Sequence, residues 1–273
     1  MLKNKEFVFF LFVVMLINVG CSSFSGDKKP DVKSQSNRLP QQRQLNVEAA
    51  LKAHLTAGIQ YLGSGDMSRA HRHLKRALEL DDLSVKVHNA LAVFYQAEGD
   101  VTREEFHFNK ALELEPEDSS VRHNYGSSLC RRGLYENARP YLSKAADDYR
   151  YAGRAESYQN LGHCEMLSGD KQAALTAFEN AYRLNKNLPK SVLGLSRLRL
   201  ERGDNETSYN LYKHFLQIAR QTAESLWLGI RLERIFGDKD ALASYELALR
   251  KRFPGSEQFR LYQESLAVTK AKP

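Results

Sequence analysis

The side chains able to do chemistry in this chain of 273 residues are three cysteines, Cys21, Cys130 and Cys164, and eight histidines, at 54, 71, 73, 88, 107, 123, 163 and 214. Neither set is arranged for a reaction. No Cys-x-x-Cys or His-Glu-x-x-His is present to hold a metal. His71 and His73, two apart, point about 200° away from each other on a helix. The sequence has no Gly-x-x-x-x-Gly-Lys phosphate loop, no Gly-x-Ser-x-Gly elbow and no pair of carboxylates in an irregular loop. The chain is therefore expected to be no enzyme, with no metal, no cofactor and no small-molecule substrate.

With 42% hydrophobic and 27% charged residues, the chain can build a sizeable core. Its net charge of +7 invites a nucleic-acid partner. The charge is poorly placed for one: residues 1–20 hold +1 and residues 22–46 hold +3, leaving about +3 for everything after Asn46. That is an ordinary solvated surface, and no nucleic acid is expected to bind.

The elements that must position any functional residue follow a period. The stretch GSGDMSRAHRHLKRALEL from Gly63 returns as AEGDVTREEFHFNKALEL from Ala97. Ala77, Ala111 and Ala145 are 34 residues apart, as are Gly65, Gly99 and Gly133, and Gly58, Ala92 and Gly126. Apolar residues three or four apart give each helix a buried stripe, and Gly-Asp pairs such as Gly65-Asp66 make the turns. The small residues stand where two helices cross closely. A 34-residue unit with small residues at its eighth, twentieth and twenty-seventh positions resembles the tetratricopeptide repeat (TPR). Pro116 fits that family's thirty-second position.

The expected fold is all-α, a right-handed TPR superhelix of about six helix-turn-helix repeats, an α-α solenoid without strands. Its units fall near 51–84, 85–118, 119–154, 155–188, 189–222 and 223–254, followed by a closing helix. They make one domain over 47–266, with a disordered tail over 267–273. The third unit is about two residues longer, since Gly126 and Gly162 are 36 apart. Glu104 takes a small-residue position in the second unit and is expected to be a local weakness. The fifth unit is degenerate, keeping Leu195, Gly203-Asp204 and Tyr212. Cys130 and Cys164 lie on first helices of adjacent units, two positions apart in register, which predicts diverging side chains and buried, unpaired thiols. In an oxidising compartment a disulfide is the alternative.

The amino terminus reads as an address. Lys3 and Lys5 precede an unbroken apolar run, FVFFLFVVMLI, from Phe7 to Ile17. That is too short to span ~30 Å of hydrocarbon and predicts a secretory signal over 1–20. Its end, INVGC, resembles a bacterial lipoprotein signal. The resemblance implies that the Cys21 thiol carries diacylglycerol, and that Ser22 directs the protein to the Gram-negative outer membrane, on the periplasmic face. Residues 21–46 then form a lipid-anchored flexible tether, polar and with little to bury, of reach ~25–30 Å.

The TPR resemblance also implies that positions 2, 5, 9, 12 and 13 of the first helices line a concave protein-binding groove. Here these include Leu55, Ile59 and Leu62, then Asn89, Val93 and Gln96, then His123, Ser127 and Arg131, with Gln159, His163, Met166 and Arg197 farther on. Chaperone-docking TPRs carry Lys and Asn where Leu55 and Ile59 stand, so this apolar end suits an amphipathic helix or extended apolar peptide better.

Beyond generic TPR features, SLWLGIRLERIFGDKDALASYELALRKRFPGSEQF from Ser225 to Phe259, HNYGSSL at 123–129 and QNLGHCEMLSGD at 159–170 resemble the type IV pilus biogenesis lipoproteins, the PilF/PilW group of secretin pilotins. The resemblance implies a protein that binds the type IV pilus secretin subunit and promotes its outer-membrane localisation and multimerisation, itself expected to be monomeric. The alternative is another membrane-anchored TPR scaffold, serving barrel insertion or regulating a peptidoglycan enzyme.

Overall fold

The computed structural model describes residues 32–270, with side chains described over 41–267. The expected signal peptide and Cys21 lie outside the described residues. The chain divides into two units, Met1–Asn46 and Val47–Pro273. In the first, residues 32–46 belong to helix α1 (Val32–Gly63). The tether expected over 21–46 overlaps this helix at residues 32–46, and its residues 21–31 lie outside the described residues. Gln41, Gln42, Arg43, Gln44 and Leu45 are good helix formers, and an existing helix extends without a new nucleus. Their side chains are exposed, so the lack of anything to bury did not prevent helix.

The second unit continues through α2 (Met67–Leu80), α3 (Val85–Glu98), α4 (Val101–Leu114), α5 (Ser119–Arg131), α6 (Tyr135–Asp147), α7 (Arg154–Ser168), α8 (Lys171–Leu184), α9 (Pro189–Glu201), α10 (Asn205–Ile218), α11 (Ala223–Phe236), α12 (Lys239–Arg252) and α13 (Glu257–Lys270). No strand occurs among the described residues. Odd-numbered first helices and even-numbered second helices alternate, six pairs followed by α13. First helices of neighbouring pairs touch from α3 through α13, whereas the corresponding second helices do not. The first helices therefore form the inner layer of an all-α superhelix. The closing helix α13 packs Phe259 and Tyr262 in the cluster of Leu226, Ile230 and Leu249 and reaches Lys270, so it overlaps the first part of the tail expected over 267–273, whose residues 271–273 lie outside the described residues.

The turns explain why each helix stops. Gly99 ends α3 in the left-handed region at φ 76°, which costs a glycine nothing sterically, and Asp100 accepts the Arg103 backbone N–H at 3.0 Å to open α4. Asp66, Asp170, Asp204 and Asp238 cap α2, α8, α10 and α12 in the same way.

The cores of the units are built on one contact. Leu74, Phe108, Leu142, Phe178 and Tyr212, all buried, come from successive second helices. A Cβ placed on Gly58 would sit 2.6 Å from Leu74, and one on Gly162 would sit 2.5 Å from the Phe178 ring. In the degenerate fifth unit the close crossing is made by Ser196 and Ser208. Each hydroxyl donates to the other's backbone carbonyl, at 2.8 and 2.7 Å. Glu104 is likewise no weak point: it is buried, and the Ser128 hydroxyl donates to its carboxylate.

The cysteine expectation is overturned. Cys130 and Cys164 form a disulfide between α5 and α7, with Cα atoms 5.6 Å apart. Two parallel neighbours meet through opposite faces, so a half-turn difference in register makes the side chains converge where it was expected to separate them.

Gly162→Ala is expected to lower unfolding free energy by about 1–3 kcal/mol, by overpacking against Phe178. Gly63→Ala, with open space at its Cβ, should be near neutral, and urea denaturation of both separates local crowding from a general glycine effect. In denaturant, the chain carrying Cys21→Ala should show no free thiol until reduced. Removing the bridge should cost about 2–4 kcal/mol.

Candidate functional site: two recesses on the inner face

The inner face carries two recesses, and their origin lies in one position of the repeat. At the sixth position of successive repeat units, on their first helices, stand Ala90, Asn124, Asn160 and Gly194. In the middle, the asparagines reach across to the preceding helix. Asn124 donates to the Asn89 amide oxygen at 2.9 Å, and Asn160 to the Ser127 hydroxyl at 2.8 Å. At either end the small Ala90 and Gly194 leave the space open.

The first recess, about 450 Å³, is lined by Leu55, Ile59 and Leu62 of α1, Lys86, Asn89, Ala90 and Val93 of α3, and Ser120 and Asn124 of α5. Ile59 is 50% exposed and Leu55 and Leu62 are half-buried, an apolar strip with no cover among the described residues. It can seat two or three apolar side chains of a helix or extended peptide.

The second recess, about 290 Å³, lies among α7, α9, the start of α11 and Gln258 of α13. The Phe178 ring is its floor, Met166, Leu167 and Leu193 its apolar wall, and His163, Lys190, Arg197 and Glu224 its polar lining. Burial, reinforced by Lys190 and Arg197 and opposed by Glu224, holds the His163 pKa below its ordinary value.

Of the residues expected to form the groove, Leu55, Ile59, Leu62, Asn89 and Val93 line the first recess, and His163, Met166 and Arg197 line the second. His123 and Ser127 are occupied between helices: His123 Nδ1 lies 2.8 Å from the Ser157 hydroxyl, and Ser127 accepts from Asn160. Gln159 accepts the Ser191 backbone N–H at 3.3 Å. Gln96 is half-buried, its Nε2 without a partner, and Arg131 is exposed in the last turn of α5. Lys86 and Lys190 stand at the second position, which was expected in the groove, whereas the sixth-position Ala90 and Gly194 were not anticipated. The signal was present, because the sixth position lies on the same helical face as the second and ninth.

Two histidine pairs repeat with the period, His54 with His73 and His88 with His107, their Nδ1 atoms 3.0 and 2.8 Å apart. His88 Nε2 lies 2.9 Å from the Asp82 carbonyl, which can only accept, so Nε2 is the donor there, and the His88 tautomer with its proton on Nε2 leaves Nδ1 to accept from His107 Nδ1–H. No group of three potential metal ligands occurs among the described residues.

Models of the tetratricopeptide repeat match residues 85–118 and 117–187. The type IV pilus assembly protein PilF of Pseudomonas aeruginosa is 34% identical over 253 residues, 92% of this chain and 96% of that one. A solved structure from a functional characterisation of Pseudomonas aeruginosa PilF superposes with a TM-score of 0.77 at 33% identity, covering 81% of this chain and 99% of the other. The crystal structure of PilW, described as a widely conserved type IV pilus biogenesis factor, gives a TM-score of 0.67 at 22% identity over 78% of this chain and 98% of that one, a likeness of fold.

Burial, and then the facing His88, hold His107 down at about 4, against an ordinary 6.5. The unfolded chain therefore binds a proton that the folded chain refuses between about pH 6.5 and 4. Stability should fall as pH drops through that window, by up to roughly 3 kcal/mol, and His107 should have no effect above it. Urea denaturation at pH 7.5 and 5 should give a smaller acid loss, by about 2 kcal/mol, in His107→Asn, whose amide can still donate to His88.

Proposed function

The chain belongs to the family of the type IV pilus assembly protein PilF, a group of TPR proteins, and on that premise we propose that it is a non-enzymatic assembly factor for type IV pilus biogenesis. More specifically, it binds the pilus secretin subunit through the first recess. It is held at the periplasmic face of the outer membrane by a lipid on Cys21, and it promotes the secretin's localisation and multimerisation there.

The observation that carries this reading is the likeness to PilF across 92% of the chain. Two features support the finer part. The apolar strip of Leu55, Ile59 and Leu62 is what an amphipathic or extended apolar segment needs. Cys21 directly follows an apolar leader ending in Gly20, and acyl chains contribute about 0.8 kcal/mol per buried methylene. Anchoring both partners at one surface raises their effective concentration, which favours ring assembly.

The test is secretin fractionation and multimer gels in cells carrying Cys21→Ala, Ile59→Asp or a full deletion. Cys21→Ala should leave the secretin without outer-membrane multimers. Ile59→Asp should lower affinity for purified secretin at least about tenfold, the scale of one desolvated charge in an apolar site. Normal outer-membrane rings in the deletion strain would refute the assignment. Normal rings in Cys21→Ala alone would remove the lipid-dependent step and keep the assembly role.

A further inference from the structure

The second recess has a charge arrangement for which binding at the first recess has no use. Lys190 stands exposed at its lip, and among the described residues it has no carboxylate within ion-pair distance. Seven residues along the same face of α9, Arg197 divides its guanidinium among Glu224 at 3.1 Å, Glu201 at 3.8 Å and the Met166 sulfur at 3.6 Å. Its Nε is buried and has no hydrogen-bond partner. Between the two cations Gly194 lies close against the buried Phe178 ring and puts no side chain into the recess, with Leu193 and Met166 beside it and Leu167, 49% exposed, at the rim. The acids facing this group are Glu224 and Glu201, and Lys171 also pairs with Glu201, so positive charge remains in excess.

We infer that this recess is a second binding site, for an extended peptide segment carrying two acidic side chains four residues apart with an apolar one midway between them. Lys190 takes one carboxylate, Arg197 turns from Met166 to the other, and the apolar side chain enters the space above Phe178. The spacing chooses this ligand. Seven residues of helix separate the cations by about 10.5 Å. Alternate side chains of an extended chain share a face, so acids four apart, spanning about 13 Å, flank one apolar side chain on the side that meets the recess, within reach of the long Lys and Arg stems. The volume, about 290 Å³, admits one side chain of leucine or phenylalanine size and falls at the bottom of the range of small-molecule sites. The equivalent positions in the first recess are Lys86, Ala90 and Val93, so that site has one cation where this one has two. The inference stands independently of the partner assigned to the first recess.

The experiment is to pan a phage-displayed random dodecapeptide library on the full mature chain, then measure synthetic peptides from the enriched clones by fluorescence anisotropy. Enriched sequences should carry Asp or Glu four apart with Leu, Met or Phe midway between. Lys190→Glu should weaken them at least about tenfold with its thermal midpoint unchanged, since Lys190 is exposed and unpaired. Replacing the peptide acids by Gln should have the same effect, and Ile59→Asp should have none. Absence of acidic enrichment, or affinities indifferent to Lys190→Glu, would overturn the proposal. Loss of binding in Ile59→Asp would also overturn it, by placing the peptides in the first recess.

Discussion

Everything in this solenoid depends on how closely a first helix approaches its second. That distance is set where a glycine, alanine or serine on one helix meets a large side chain on the other: Gly58 on Leu74, Gly126 on Leu142, Gly162 on Phe178. Interiors are packed tightly enough that a single methyl at such a point displaces a neighbour. With this separation fixed, the next pair must stack at a defined offset. The inner layer of first helices, and any surface it presents, follows from it.

The inner face is consequently uneven in a way a uniform repeat would not be. Where the sixth position carries asparagine, the side chain is spent joining one first helix to the previous one, as Asn124 does to Asn89. Where it carries Ala90 or Gly194, no side chain spans the gap and a recess opens. One residue per unit thus decides whether that stretch of groove is structure or site. The same spacing gives the two recesses the same framework with different chemistry, Val93 in the first and Arg197 in the second.

The helix pairs were legible because small residues recurring every 34 positions have one economical explanation, and the Gly-Asp turns fixed their boundaries. Polar substitutions inside the repeat were less legible. Glu104 and Ser196 look like departures from the pattern, yet each is buried and satisfied by a partner that periodicity does not mark, Ser128 and Ser208. The disulfide was missed because register was compared as though neighbouring helices met through the same face. Groove residues such as His123 and Gln159 were placed on the correct helices, but their hydrogen bonds to neighbouring units depend on side-chain reach, which spacing does not encode.

The Cys130–Cys164 bridge joins α5 to α7, at the place where the period lengthens by two residues. In an array whose units contact only their neighbours, fraying starts at the ends and travels inward. A covalent staple at the centre halts it, so the two halves can breathe separately. The first recess draws on helices up to α5 and the second on helices from α7 onward. Each can therefore adapt to what it holds without loosening the other, and under a pull on the two ends of the array the central pairs would be the last to part.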